Sequence, residues 1–222
     1  MNKNSKSIDQ FLKGRNLNHI TSLDLSGEEL TAIPSIVFKC RNLKKLNISN
    51  NRLSSIPKEI QSLRKLKVLN VSHNRLTQIP APVCQIFKLR VLDISHNQIK
   101  VLPKQLADSH ITTLIANNNK IEVVKSSLLI GIERLIISNN NIAVICPDSP
   151  LPNLKYLWIT NNPCTSENVL ITNRNMFPGI KKSYPCISDN KTIKQIASEK
   201  SNTIDMNKNN IFISYAHADE KW

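Results

Sequence analysis

The sequence predicts an α/β solenoid: stacked coils, each contributing one short strand to a parallel sheet. Three observations predict it. Aligned on itself at a spacing of 23 residues, the chain brings Leu43, Leu66 and Leu89 into one column and Leu46, Leu69 and Leu92 into another. Asn51, Asn74 and Asn97 form a third column, and Pro34, Pro57, Pro80 and Pro103 a fourth. The apolar fraction, 40% of 222 residues, suffices for a continuous core and is too high for a wholly disordered chain.

Each unit reads L-x-x-L-x-L-x-x-N-x-L, then x-x-I-P-x-x-I. Seven units start at Ile20, Leu43, Leu66, Leu89, Ile111, Ile132 and Leu154. The last three starts follow steps of 22, 21 and 22 residues, and these later units lose the proline. Within L-x-x-L-x-L the fourth and sixth positions alternate with outward ones, the period of a strand. Leu46 and Ile48 therefore point inward, and Lys45, Asn47 and Ser49 outward. The next unit's strand stacks about 4.8 Å away. Ile33, Ile56, Ile79, Leu102, Val124 and Ile145 line the return segment and bury it. No unit can bury its apolar side alone, so stability comes from neighbours.

Terminal units depart from the pattern: Glu28 replaces Asn in the first and Cys164 replaces Leu in the last. At the N-terminus, Ser7-Ile-Asp-Gln10 has the form of a capping box and predicts a short helix over 7–13, stopped at Gly14. Ser166–Phe177, ended by Pro178-Gly179, reads as a C-terminal capping helix. Residues 187–210 are polar and rich in Lys and Asn, the composition of a linker.

The repeat resembles the leucine-rich repeat, and its I-P-x-x-I units resemble the 23-residue intracellular, Ras-associated class. That resemblance implies a right-handed horseshoe arc with a parallel concave sheet, terminal caps and a flexible C-terminal tail. It also implies that the repeated Asn bonds backbone groups of adjacent turns. The organisation expected is an N-terminal cap (1–19), seven leucine-rich repeats (20–164), a C-terminal cap (165–186) and a linker (187–210). The last twelve residues, 211–222, read Ile-Phe-Ile-Ser-Tyr-Ala-His-Ala-Asp-Glu-Lys-Trp. The F-I-S-Y core followed by Asp219, Glu220 and Trp222 resembles the opening of a Toll/interleukin-1 receptor (TIR) domain. A lone parallel strand has no partners for its backbone groups and cannot make such a domain. By the same resemblance the catalytic glutamate of NAD-cleaving members lies beyond Trp222, and Glu220 sits in the first turn instead.

These resemblances imply a non-enzymatic, cytoplasmic, protein-binding module, the recognition or scaffold part of an intracellular TIR-type signalling or innate-defence protein. A scaffold of Ras-type small GTPases, the regulatory arm of a full-length NAD-cleaving enzyme, and a secreted receptor fragment with a Cys164–Cys186 disulfide are alternatives. The family binds through its concave strands. There the third position of each unit runs Ser22, Lys45, Val68, Val91, Thr113, Arg134, Tyr156, and the fifth Asp24, Asn47, Asn70, Asp93, Ile115, Ile136, Trp158. The candidate partner-binding residues are Lys45, Val68, Val91, Ile115, Arg134, Ile136, Tyr156 and Trp158. Ile115, Ile136, Tyr156 and Trp158 are expected to form one exposed apolar patch.

Charge is uneven. The chain has 30 Lys+Arg against 16 Asp+Glu, and residues 39–104 hold 14 of the cations with only Glu59 and Asp93 opposing them. Lys44, Lys67 and Arg90 recur at one position and form a basic ridge beside the strands, suited to an acidic partner: a protein surface, a phosphoinositide or nucleic acid. Nucleic acid is the weaker fit because few aromatics interleave with the cations. No run of 18 uncharged apolar residues exists, which excludes a membrane-spanning helix. Five cysteines without C-x-x-C, and no G-x-x-x-x-G-K or H-E-x-x-H, leave no cofactor or metal expected. His73 and His96 hold equivalent positions, with rings expected about 5 Å apart, but further ligands are missing from the sequence around them. Incubating the purified chain with NAD is expected to leave the dinucleotide intact; measurable nicotinamide release overturns the reading of 211–222.

Overall fold

The computed structural model describes Ile8, Gln10 and residues 12–146, 148–163 and 182–184. All of them lie in the first of two units into which the chain divides, Met1–Cys186 and Ile187–Trp222. The expected capping helix Ser166–Phe177, the Cys164–Cys186 pair, the linker and the F-I-S-Y segment lie outside the described residues. Strands β1 (Ser22–Asp24), β2 (Lys45–Asn47), β3 (Val68–Asn70), β4 (Val91–Asp93) and β5 (Thr113–Ile115) come first. After them run β6 (Val123–Lys125), β7 (Arg134–Ile136), β8 (Val144–Cys146), β9 (Tyr156–Trp158) and β10 (Lys182–Tyr184). Eight form one parallel sheet in the order β1-β2-β3-β4-β5-β7-β9-β10, and β6 pairs with β8. The architecture is an α/β leucine-rich-repeat solenoid.

The register is the sequence repeat made physical. Leu23, Leu46, Leu69, Leu92, Leu114, Leu135 and Leu157 lie side by side across seven strands. All seven are buried, as are the first and sixth positions of the central units, so one apolar spine runs through the coils. β10 continues the register by one strand, with Ser183 opposite Leu157. A strand here departs from the cap expected over 165–186, in a segment (180–186) that lacks the L-x-x-L-x-L signature. Main-chain pairing alone recruits it, by satisfying groups that β9 would otherwise leave open at the sheet edge.

The proline column decides the opposite side of each coil. Pro34, Pro57, Pro80 and Pro103 precede the short helical turns Ser35–Lys39, Lys58–Ser62, Ala81–Cys84 and Lys104–Leu106. Proline presets φ and lacks an N–H, so no ladder can form at that point. In units five and six the equivalent residues are Lys125 and Cys146, and there the β6–β8 pair forms, with Lys125 opposite Cys146. At the N-terminus Ile8, Gln10, Leu12 and Lys13 are helical, and Ile8 and Leu12 are buried against the core.

Each coil must turn off its strand inside the protein. The eighth position of every unit does so with positive φ: Gly27 at 73°, Asn50 at 55°, His73 and His96 at 52°, and Asn118, Asn139 and Asn161 at 55°. Gly and Asn tolerate this left-handed region best and His is enriched there, which explains the residue types in the column. The ninth position is the repeated Asn. The Asn74 side-chain oxygen accepts from Leu53 N at 2.9 Å, and its amide donates to Ile48 O (3.0 Å), Val71 O (3.0 Å) and Ser72 O (3.1 Å). Asn51, Asn97, Asn119, Asn140 and Asn162 repeat this arrangement. Every amide thus bonds its own turn and the coil before it. Replacing Asn74 by Ala is expected to lower stability by about 2–4 kcal/mol in urea unfolding, since several buried main-chain groups lose their partner. The exposed Gln78→Ala control is expected to change it by less than about 0.5 kcal/mol.

Candidate functional site

The outward columns of the sheet are the candidate binding face, and the fold places each predicted residue on it. Lys45, Val68, Arg134, Ile136, Tyr156 and Trp158 are half-buried. Val91 and Ile115 are buried, Ile115 retaining only 1% exposure. The expected patch is therefore corrected: Ile115 is not an exposed member of it. It sits mid-sheet, flanked in register by Asp93 on one side and Ile136 on the other. Ser49, expected to face outward, is buried as well; its carbonyl accepts from Gly27 N at 3.0 Å in the turn.

At the β7–β9 end the structure brings three predicted residues together. Arg134 lies opposite Tyr156, with its guanidinium carbon 5.1 Å from the ring centroid, a cation–π contact. The Tyr156 and Trp158 rings stand 6.1 Å apart and 18° from parallel. Ile136 lies opposite Trp158. Large amphipathic side chains held on a rigid sheet lose little entropy on contact and serve as anchors for a protein surface. Period-two alternation alone placed these residues on one face.

Along the middle of the sheet the fifth position is a turn-former. Oδ1 of Asp24, Asn47, Asn70 and Asp93 accepts from the N–H two residues on, at 2.9, 3.1, 2.9 and 2.9 Å. Asp93 also accepts from Ser95 Oγ at 2.7 Å, while its other carboxylate oxygen is buried without a partner. Burial pushes the Asp93 carboxyl up to about 6, against the opposing pull of the two Ser95 bonds. Next to it, the His73 and His96 rings stack with centroids 3.9 Å apart, closer than the expected spacing, and His96 Nε2 lies 3.0 Å from Asn118 Nδ2. Burial lowers both imidazole values, and the neighbouring His73 charge lowers that of His96 further. Among the described residues no group of three His, Cys, Asp or Glu could hold a metal ion.

The basic ridge lies at the strand entry. Lys44 and Lys67 are exposed, and their main chains are joined by Lys67 N to Lys44 O at 2.8 Å. Arg90 is half-buried, and its guanidinium donates to Phe87 O and Leu89 O at 2.9 and 3.0 Å. The column continues through Thr112 and Glu133 to Lys155, and Glu133 pairs with Lys155 at 2.8 Å. Sequence reasoning missed the cluster around Asp148, whose carboxylate accepts from Ser127 N and Oγ at 2.7 Å and from Ser126 Oγ at 2.9 Å. Those bonds, Ser127's foremost, hold it down to about 2. It ties two adjacent coils together. Cys40 and Cys84 are buried free thiols, and burial pushes Cys84 up to about 11, far from a reactive thiolate.

Comparison with known proteins agrees with this geometry. Family models described as leucine-rich repeats match residues 18–76 and 88–108, and neither is an enzyme family. The matched coils are leucine-rich repeats, which generally serve as protein-interaction modules. No curated protein sequence matches the chain. A solved leucine-rich-repeat protein of Leptospira interrogans is similar at 26% identity and a TM-score of 0.59, over 74% of this chain and 48% of that one. This chain thus spans about half the length of that relative. Matching solved chains number 291, so the coil is a widely used scaffold and the fold alone selects no partner.

Asp93 yields a pH prediction. Its folded value lies above the ordinary carboxylate value, so the fold holds the proton more tightly than the unfolded chain. Stability is then fullest below the ordinary range and falls as pH rises toward about 6. Asp93→Asn, which keeps an acceptor for Ser95 as Asn70 does for Ser72, is expected to abolish that slope. Urea unfolding near neutral pH is expected to show a gain of about 1–3 kcal/mol.

Proposed function

We propose that this chain is the recognition part of an intracellular TIR-type signalling or defence protein, and that it binds a protein partner on its strand face. The observation that carries the binding reading is the Arg134–Tyr156–Trp158 cluster, which presents two aromatic rings and a cation from adjacent strands. The F-I-S-Y segment with Asp219, Glu220 and Trp222 supports the TIR assignment. In that reading the repeats recognise and the TIR domain signals, with both in the cytoplasm. Neither role requires a cofactor.

A second reading, a scaffold of Ras-type small GTPases, is favoured by one feature: the proline-bearing return segments at Pro34, Pro57, Pro80 and Pro103, which follow I-P-x-x-I at Pro57 and differ from it only by Val or Leu for Ile at the other three. Immobilised chain challenged with GTP-loaded and GDP-loaded small GTPases separates the two, because only a scaffold of that class retains one nucleotide form over the other. Trp158→Ala tests the face itself. It is expected to weaken capture of the partner by about 2 kcal/mol while leaving the circular-dichroism spectrum and unfolding midpoint nearly unchanged. A variant that unfolds instead makes Trp158 a core residue and removes the anchor from the proposal.

A further inference from the structure

The lateral side of the coils, where the chain climbs into each strand, is separate from the strand face and has its own chemistry. Its residues stack unit on unit. Asn42 Nδ2 donates to Asn18 O at 2.7 Å, Lys65 Nζ to Asn42 Oδ1 at 2.6 Å, and Arg41 to Ser62 O at 3.2 Å. Two residues before each unit start, the column runs Asn18, Arg41, Arg64, Phe87, Ser109, Ile130. Beside it stand Lys65 and Lys88, and then the ridge of Lys44, Lys67 and Arg90. Of these seven cations all but half-buried Arg90 are exposed, and among the described residues none of the seven is in a salt bridge. Phe87 is 63% exposed and Ile130 41%, two of the four large apolar side chains left exposed among the described residues, and both fall in this one column.

We propose that this lateral face docks the protein onto an anionic lipid surface, with the cations meeting headgroups and Phe87 entering the interface. Three features select lipid over other anions. Cations in a column are one strand spacing apart, about 4.8 Å, whereas same-side residues of an extended acidic peptide repeat at about 7 Å. Headgroups diffuse laterally and adopt whatever spacing the protein presents. Single-stranded nucleic acid binds along a track of stacking rings, and this face offers one ring pair, exposed Phe87 in tilted contact with exposed His110 at 4.2 Å. A protruding apolar side chain amid unopposed cations suits the boundary between headgroups and acyl chains. This docking leaves the strand face open and does not depend on the partner proposed for it.

The test is co-sedimentation of the full chain with phosphatidylcholine vesicles that contain phosphatidylserine, against vesicles of phosphatidylcholine alone. Binding is expected only to the anionic vesicles and is expected to fall steeply with added salt. Neutralising three exposed cations together (Arg64→Gln, Lys44→Gln and Lys67→Gln) is expected to weaken partitioning about 100-fold. Phe87→Ser is expected to weaken it about 10-fold without changing the salt dependence. All four positions are exposed, and unchanged unfolding midpoints verify that the variants fold. Equal partitioning onto neutral vesicles, or a triple variant that binds as well as the parent, overturns the proposal. Tighter binding to polyglutamate or duplex DNA than to anionic vesicles also overturns it, in favour of an acidic protein or nucleic acid.

Discussion

The structure depends on the buried asparagine amide. A coil of about two dozen residues must leave its strand, turn inside the protein and return, and the turn strands main-chain donors and acceptors away from water. Unpaired, such groups each cost about 1–3 kcal/mol. Asn97 answers four of them at once, accepting from Leu76 N and donating to Val71 O, Ile94 O and Ser95 O. No apolar side chain can do this. Two of those bonds, with Leu76 N and Val71 O, reach the preceding coil, so the same group closes its own turn and sets how the coils stack.

The rest of the coil follows from that constraint. Beside the buried amide the eighth position adopts the left-handed region, as His96 and Asn118 do; Gly27 adopts it too, although Glu28 stands in place of the amide there. The fourth and sixth positions become the spine, and the fifth becomes a local acceptor that braces the turn from outside. Asp93 shows the tension in this last role: its Ser95 bonds brace the turn, but its carboxylate carries a charge that burial disfavours. Asn47 and Asn70 perform the same bond without the charge.

With the interior committed to periodic columns, variation is confined to the outward ones, and those carry the chemistry. The strand face ends in a cation–aromatic cluster on β7 and β9, and the lateral face carries cations with two exposed apolar side chains. Rigid coils hold these groups at a constant strand spacing, so each column presents a line of side chains with defined neighbours. A repeat scaffold of this kind alters what it binds by changing one column without disturbing the core.

The 23-residue register, the seven coils, the buried columns and the Asn column were all legible in the sequence, because each is a repeated requirement; that the Asn side chains bond adjacent turns was implied by the resemblance to leucine-rich repeats. The column of left-handed residues is also written there, as Gly, Asn and His at one position. Arg134, Tyr156 and Trp158 were placed on one face by strand alternation, and the register then brought them into contact. Ile115 shows where local reasoning ends: an outward position is not an exposed one, and how far it is covered depends on the side chains around it. β10 and the β6–β8 pair likewise appear only in three dimensions. β10 lacks the repeat signature, and β6–β8 depends on two coils lacking proline side by side. By itself the sequence determined what repeats, since periodic burial writes a periodic residue pattern. Tertiary structure alone decided exposure and edge pairing, because both are properties of neighbours that are distant along the chain.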